Sequence, residues 1–338
     1  MNLSHHPIIR LSLGMVSLVA LLLIGLSPVS SSSTDSTYFI YLPLIAKLPL
    51  IAKPCPSVTI PSSGNWLDYL NYYRATACLP AVAEDTVLSD GDHKHAIYIV
   101  KKDVLQHDED SNNPWYTPEG RTAAQQSNLA AHYDVNATDG WAIDSWMQAP
   151  FHAVGILDPR LVQVGYGSYR EADGNFQMGA ALNVIAGLRY TVRTTYPVLW
   201  PGNGMTVPIR LHWGENPSPL TSCSGYTAPS GLPLIIQIGS GNITPVVSAT
   251  SFTQNGLSLE HCVFDETTYT NPDSVEQNHA RGTLGARDAI VLVPRLPLEA
   301  GLTYTASITV NGQTYTWSFN ISSTAQALES QNSSGFVR

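Results

Sequence analysis

The spacing of apolar residues divides the chain into a helical stretch and a strand-rich stretch. From Trp66, apolar side chains recur at three- and four-residue steps through Leu67, Leu70 and Tyr73, a spacing typical of a helix with one buried face. Comparable spacing follows further along, and Asp139 is a suitable N-cap for the last of these segments. The predicted helices lie in GNWLDYLNYYRATA, LSDGDHKHAIYIVKKDVL, RTAAQQSNLAAHY and DGWAIDSWMQ.

The period of the pattern then changes from about 3.6 to two. The segments LVQVGYGSY and NFQMGAALNVIAG alternate and contain β-branched and aromatic residues, so they predict two strands joined by the turn EADGN. Several helices followed by a hairpin indicate an α+β domain of layered helices and sheet. We assign this domain to residues 55–190.

Residues 191–323 have a different character, with short strands broken by Gly, Pro and Asn. The segment TYTASITVNGQTYTWSFNI predicts a hairpin, because Asn311-Gly312 supplies the two positive-φ positions of a type I′ turn. We predict an all-β immunoglobulin-like sandwich here. The polar residues 324–338 are predicted to be a disordered tail.

The N-terminal segment predicts export. A weakly basic start, an apolar run over residues 11–26 and a small-residue stretch are typical of a signal peptide, assigned to residues 1–31. The alternative is an uncleaved membrane anchor, although the run is short for a full span of about 20 residues. Residues 32–54, which contain LPLIAK twice in tandem, are predicted to be an extended tether or a strand laid on the surface of the domain. The expected location is therefore the cell exterior or the cell surface, with membrane contact only through this segment if it is retained.

Charge and cysteine content narrow the functional classes. The net charge of −9, without any Lys/Arg cluster, argues against a nucleic acid partner. Four cysteines fit an exported chain and allow three disulfide pairings. Local pairing, Cys55 with Cys78 and Cys223 with Cys262, is the simplest of the three, because each pair then lies within one predicted domain. Metal binding by these cysteines is the weaker interpretation, since no CxxC spacing occurs.

The first domain resembles the CAP superfamily of cysteine-rich secretory, antigen 5 and pathogenesis-related proteins, in its bacterial SCP-like form. The matching segments follow the order of that family over about 120 residues of the chain. The matching residues are Leu70-Asn71, Arg74, Cys78-Leu79-Pro80, Leu88-Ser89, His95-Ala96, Tyr98, Val100, His107, Trp146-Met147, Ala149-Pro150, His152, Ile156-Leu157 and Val164-Gly165.

The resemblance implies an α-β-α sandwich whose cleft holds two histidines and one or two glutamates. By position, the histidines are His107 and His152. Ser127 stands where the family glutamate of a GENxA segment would be, so Glu109 and Glu119 on the loop after His107 are the candidate substitutes. A literal GEN occurs at residues 214–216, and we take it as a coincidence because it lies in the second domain.

Three kinds of chemistry remain open at this cleft. Imidazoles with a carboxylate suit zinc or another divalent metal, for which His107 and His152 are the candidate ligands, although no HExxH or EF-hand spacing is present. A hydrolase could use a histidine base with Ser127 as nucleophile, but no GxSxG occurs. Ser127 in a helix is more simply a packing residue. His95 is either a cleft residue or a buried, hydrogen-bonded histidine.

The interpretation we favour is a binding module with no established catalysis. Aromatic residues near the histidines are typical of a cleft for a small molecule or lipid, and the resemblance implies a lipid or protein partner. A structural or adhesion protein with an inactive cleft is the alternative. The aromatic residues are Trp115, Tyr116, Trp141, Trp146, Phe151 and Tyr166.

Overall fold

A computed structural model describes residues 50–51, 55–62, 64–325 and 335–337. All of them belong to one compact unit, Ala46–Arg338. The predicted signal segment, residues 1–31, and residues 32–49 of the predicted tether lie outside the described residues. In the described part, no helix is both long enough and apolar enough to cross a membrane.

The described part contains helices and strands in both halves. Its α-helices are α1 (Trp66–Ala75), α2 (Thr86–Lys102), α3 (Pro118–Ala124), α4 (Asp139–Met147), α5 (Pro150–Ile156) and α6 (Ser274–Gly285). Its strands are β1 (Leu50–Ile51), β2 (Ala83–Glu84), β3 (Ser127–His132), β4 (Gln163–Arg170), β5 (Met178–Asn183), β6 (Val198–Trp200), β7 (Thr206–Val207), β8 (Leu211–His212), β9 (Ser230–Gly231), β10 (Leu234–Gln237), β11 (Val247–Gln254), β12 (Leu257–Ser258), β13 (His261–Asp265), β14 (Ala289–Pro294), β15 (Thr303–Val310), β16 (Gln313–Ile321) and β17 (Gly335–Val337).

The first half is built on a sheet with strand order β17-β3-β5-β4-β2. Successive side chains of a strand point to opposite faces, so β4 shows which helix covers each face. A Cβ on Gly165 or Gly167 would overlap the backbone of α2, which therefore lies directly on that face. Tyr166 points the other way, where its ring lies 5.0 Å from Trp66 of α1 and 6.3 Å from Trp146 of α4. Helices thus cover both faces of the sheet, and the predicted α-β-α layering agrees with this arrangement.

Local sequence explains where these helices begin. The side chains of Asn65, Asp85, Thr117 and Thr138 accept backbone N–H groups of the first turns of α1, α2, α3 and α4. Helix α5 is different, because its N-cap residue Ala149 makes no side-chain capping hydrogen bond.

The second half contains two larger sheets. One has the order β1-β16-β15-β11-β12, with β7 also paired to β16, and the other has the order β13-β14-β10-β6. The predicted hairpin is β15–β16, with Asn311 and Gly312 at φ values of 49° and 74°. The buried residues of both sheets continue into the core of the first half. Helix α6 lies between β13 and β14, so the expectation of an all-β second half was wrong at this point.

Two further expectations differ from the structure. The segment RTAAQQSNLAAHY, predicted as one helix, contains the end of α3 and then β3, whose six residues are all buried. The tail 324–338 was predicted to be disordered, but Gly335–Val337 forms β17, which pairs antiparallel with Ala130–His132 at the edge of the first sheet.

Both predicted disulfides are present. Cys55 bonds to Cys78, and Cys223 bonds to Cys262. The first connects the segment before α1 to the residues just after it, and the second connects the loop after a short 3-10 helix (Pro219–Ser222) to β13. No free cysteine is found.

Candidate functional site

A cavity of about 460 Å³ brings His107 and His152 together. Its walls come from the start of β3, from α5, from the residues after β5 and from one side of α6. Ser127 and Asn128 of β3 line it, so three of the positions expected at the cleft meet at one opening. The rest of the expected set lies elsewhere.

His152 is held by a carboxylate that the sequence interpretation dismissed. On α5, the ring is largely buried and its Nδ1 lies 2.6 Å from Oε2 of Glu215, whose side chain is fully buried. A carboxylate only accepts hydrogen bonds, so Nδ1 carries the proton and donates it. Nε2 is then the ring nitrogen left for the cavity. The GEN segment at residues 214–216 is therefore no coincidence, and that expectation was wrong.

Glu215 also completes the start of α5. Its two carboxylate oxygens lie 3.3 Å and 3.2 Å from the backbone nitrogen of Phe151, which donates to them. Since Ala149 provides no side-chain cap, this carboxylate takes that role from a distant part of the chain. A negative charge at a helix N-terminus is also favoured by the helix dipole. One acidic residue thus fixes both the helix and the histidine that it carries.

A further histidine, His212, lies close to His152 and Glu215 and is buried. The side chain of His212 is buried, and its Nδ1 donates to the carbonyl oxygen of Gln148 at 3.0 Å. Burial lowers the pKa of His212, and the neighbouring His152 lowers it further, while the charge of Glu215 and the bond to Gln148 oppose the shift. His212 is therefore a neutral packing partner of the pair at neutral pH.

His107 approaches the cavity from the loop after α2. Its Nδ1 lies 2.7 Å from the carbonyl oxygen of Ala124, to which it donates, so Nε2 is an acceptor. The imidazoles of His107 and His152 therefore both have Nδ1 bound to the protein. On each ring the acceptor nitrogen is therefore Nε2.

Ser127 does not have the surroundings of a nucleophile. Its hydroxyl donates to Oδ1 of Asp92 at 2.6 Å, and both side chains are buried. Burial raises the pKa of Asp92 to about 7, although the bonds from Ser127 and the backbone of Asn183 act in the opposite direction. A hydroxyl that donates to an acidic group is held in place by it, whereas a nucleophile donates to a base such as histidine.

Four other predicted cleft residues lie outside the cavity lining. His95 is the buried, hydrogen-bonded histidine of the two alternatives: its Nδ1 lies 2.9 Å from Glu109, and both side chains are fully buried. Glu119 is 57% exposed and lies 3.5 Å from Nζ of Lys94. Tyr116 lies in the turn before α3. Neither Glu109 nor Glu119 substitutes for the missing glutamate, because Glu215 is the carboxylate that contacts His152.

The comparison with protein families gives one match, and it covers the residues from α1 to just beyond β5. Residues 67–188 match the family described as the cysteine-rich secretory protein family, CAP. This match supports the CAP superfamily for that segment. The comparisons with curated proteins and with solved structures gave no match.

The CAP segment supplies only part of the cavity wall. Glu215, which orients His152, lies 27 residues beyond the end of the match at residue 188. The polar face of α6 supplies the opposite wall, through Glu276, His279 and Thr283, and Arg287 follows the helix end. These positions are three, four and four residues apart, which places them on one side of a helix. Sequence reasoning missed all of them.

The described residues do not fit a metal centre. They contain no group of three or more His, Cys, Asp or Glu side chains arranged to hold an ion. His107 and His152 have each committed Nδ1 to the protein, and Glu215 contacts His152 and α5. A protein zinc site uses at least three such ligands, so we derive no chemistry through a metal.

Proposed function

We propose that this protein is an exported CAP-domain protein that binds a small molecule in the cavity between the CAP segment and α6. The observation that carries the proposal is the pairing of His152 with Glu215, which fixes the ring and directs its remaining nitrogen to a cavity shared with His107. The cavity volume of about 460 Å³ is within the ordinary range for small-molecule sites.

Export is supported by two independent features. The apolar segment at residues 11–26 has the composition of a signal peptide. All four cysteines are paired in disulfides, which persist in oxidising compartments. We propose the cell exterior or the cell surface as the location.

We also propose that the second half is an immunoglobulin-like sandwich in which a helix has been added between two strands. The antiparallel pairs β11–β15, β15–β16, β10–β14 and β13–β14, with a shared core, support this assignment. Its role is more than a spacer, because it provides Glu215 and the α6 wall of the cavity. A purely structural or adhesive role would not require a second-half carboxylate to orient a cleft histidine.

Hydrolysis is the second candidate function. A histidine oriented by a buried carboxylate is the arrangement of a general base with its positioning group. The contacts of Ser127 argue against that serine as the nucleophile, so a hydrolase would have to activate a water through His152. Turnover of simple ester and peptide substrates that is lost in His152→Ala would favour this candidate over binding alone.

The test of the binding proposal uses a defined panel: N-acetylated amino acids, their amides, monosaccharides and short alcohols, added to the full chain and detected by saturation-transfer NMR. We expect at least one panel member to bind the wild type and to lose binding in His152→Ala and in His107→Ala. His93→Ala, at an exposed position of α2 outside the cavity lining, is the matched control for removing an imidazole. Absence of binding throughout the panel, or binding unchanged in both cleft variants, would contradict the proposal.

A calorimetric titration with zinc addresses the metal alternative separately. His107, His152 and His279 all line the cavity, but no three His, Cys, Asp or Glu side chains of the described residues are arranged to hold an ion, so we expect no stoichiometric binding that depends on both His107 and His152. Tight binding of one zinc per chain, lost in the double variant, would overturn this expectation and reopen metal-assisted hydrolysis.

A further inference from the structure

An excess of positive charge lies behind one end of the cavity. The buried carboxylate of Asp158 accepts Nε of Arg160 at 2.9 Å on Oδ1 and Nη2 of Arg160 at 2.7 Å on Oδ2. The same Oδ2 lies 3.0 Å from Nε of Arg287, which comes from the second half. Although burial opposes ionisation, Arg160 and Arg287 lower the pKa of Asp158, so this group is a carboxylate shared by two guanidinium groups.

A third guanidinium group lies in the same region. Arg74 of α1 is fully buried and donates to the carbonyl oxygens of Pro80, Ile156, Asp158 and Leu161. Burial lowers its pKa to about 10, which still leaves it charged at neutral pH. Three guanidinium groups thus contact Asp158, two at its carboxylate and that of Arg74 at its backbone carbonyl oxygen, and the single carboxylate balances only one of the three positive charges.

Arg287 is the member of this cluster that reaches the cavity. Its bond from Nη1 to the carbonyl of Thr283 is long, at 3.4 Å. Its Nη2 lies beside Gly155 in the cavity wall, where an added Cβ would be 3.8 Å away. The Nε of Arg287 thus faces Asp158, and its Nη2 lies beside Gly155 in the cavity wall.

We propose that Arg287 binds a carboxylate group of the ligand, so that the cavity takes small monocarboxylates with an apolar body. The inference rests on the proposed function and names its ligand class. The planar guanidinium fork matches the two oxygens of a carboxylate. Phe151, Val184 and Ile185 line the same cavity and offer apolar surface to the remainder of the molecule.

The other charged residue on the α6 wall favours a monoanion over a polyanion. Glu276 lines the cavity eleven positions before Arg287, which corresponds to on the order of 16 Å along a helix. A second negative charge on the ligand would approach this carboxylate or would remain without a cation. A phosphate dianion is therefore less well matched than a single carboxylate.

The experiment compares pairs of probes that differ only in charge: N-acetylvaline with N-acetylvalinamide, and N-acetylphenylalanine with its amide. Dissociation constants are measured by NMR titration of the full chain at low ionic strength. We expect the acid of at least one pair to bind tenfold or more tightly than its amide, because a charge-assisted bond is worth roughly a tenfold to hundredfold change in affinity.

Two variants test whether Arg287 is responsible. Arg287→Gln should remove the preference for the acid. Because that change also removes one of the partners of Asp158, a second pair of variants keeps Arg287 in place. Thr283→Asp places a carboxylate at a half-buried position one helical turn from Arg287, and Thr283→Asn has the same shape without the charge. We expect Thr283→Asp to lose the preference and Thr283→Asn to retain it.

The outcomes separate this inference from the proposal on which it rests. Equal binding of acid and amide, or a preference that survives in folded Arg287→Gln or in Thr283→Asp, overturns the role of Arg287. If only neutral members of the panel bind, and lose binding in His152→Ala, the cavity is a ligand site but the carboxylate inference is wrong. If no probe binds, both are wrong.

Discussion

Removal of the Glu215 carboxylate should destabilise the protein well beyond the effect of an ordinary surface substitution. In Glu215→Ala, the Nδ1–H of His152 and the backbone N–H of Phe151 both lose their acceptor inside the protein. Leaving a buried donor unsatisfied costs about 1–3 kcal/mol, so the two donors together cost roughly 2–6 kcal/mol. Because the side chain of Glu215 is fully buried, water cannot readily replace it, and we expect a cost in this range.

Glu215→Gln separates charge from shape. The amide oxygen can still accept one of the two N–H groups, but the negative charge that favours the start of α5 is lost. We expect a cost of about 1–2 kcal/mol for this variant. An exposed control is Glu260→Ala, whose carboxylate is 61% exposed and lies 2.7 Å from Arg295, since such a surface pair contributes about 0–1 kcal/mol.

The measurement is urea unfolding of the oxidised protein, followed by tryptophan fluorescence. A double-mutant cycle with His152→Ala isolates the pairwise term, for which we expect a coupling free energy of about 1.5–3 kcal/mol. If Glu215→Ala costs no more than Glu260→Ala, or if the coupling is close to zero, the contact does not hold His152 in place and the reasoning fails.

Three further predictions concern stability. Burial raises the pKa of Asp92 from 3.8 to about 7, so the folded state binds the proton more tightly, and the free energy of unfolding of the wild type should fall as pH rises from about 4 to 7. Asp92→Asn should remove that fall, which is at most about 4 kcal/mol. If urea unfolding shows that the substitution changes the free energy of unfolding equally at pH 4 and pH 7.5, the prediction is contradicted. Replacing Cys223 and Cys262, which are 39 residues apart, by serine should cost roughly 2–4 kcal/mol by the same assay, and non-reducing peptide mapping checks the pairing itself. Gly167→Ala should prevent α2 from lying on β4 and lower the melting temperature sharply, whereas Gly282→Ala, with open space around it in α6, should stabilise by about 0.5–1 kcal/mol.

Periodicity predicted five elements of the first half. Helices α1, α2 and α4 and strands β4 and β5 lie where the spacing of apolar residues placed them. The pattern failed at β3, whose six residues are all buried, as are those of β5, and which only Gln125 and Gln126 separate from α3. A continuous apolar run such as Leu129-Ala130-Ala131 has no alternation, and periodicity cannot distinguish such a strand from a buried helix.

Helix α6 illustrates the opposite difficulty. Only Ala280 and Leu284 are buried in its twelve residues, so the apolar signal is weak, although Asp273 is a clear N-cap. The polar side of the helix faces the cavity, and the helix packs against α5, β13 and β14. A wall built from polar residues leaves no hydrophobic pattern to detect.

Glu215 was missed because position within a family segment was taken as the guide to the site. The CAP match ends at residue 188, and at the position of the expected glutamate the chain has Ser127, held by Asp92. A histidine at the start of a helix without its own cap requires an acceptor from somewhere, and a buried acidic residue can come from any part of the chain that packs there. The GEN segment was the available signal. Since His152 pairs with that residue, the CAP segment alone lacks the carboxylate that orients its own histidine, and the candidate site draws on both halves of the chain.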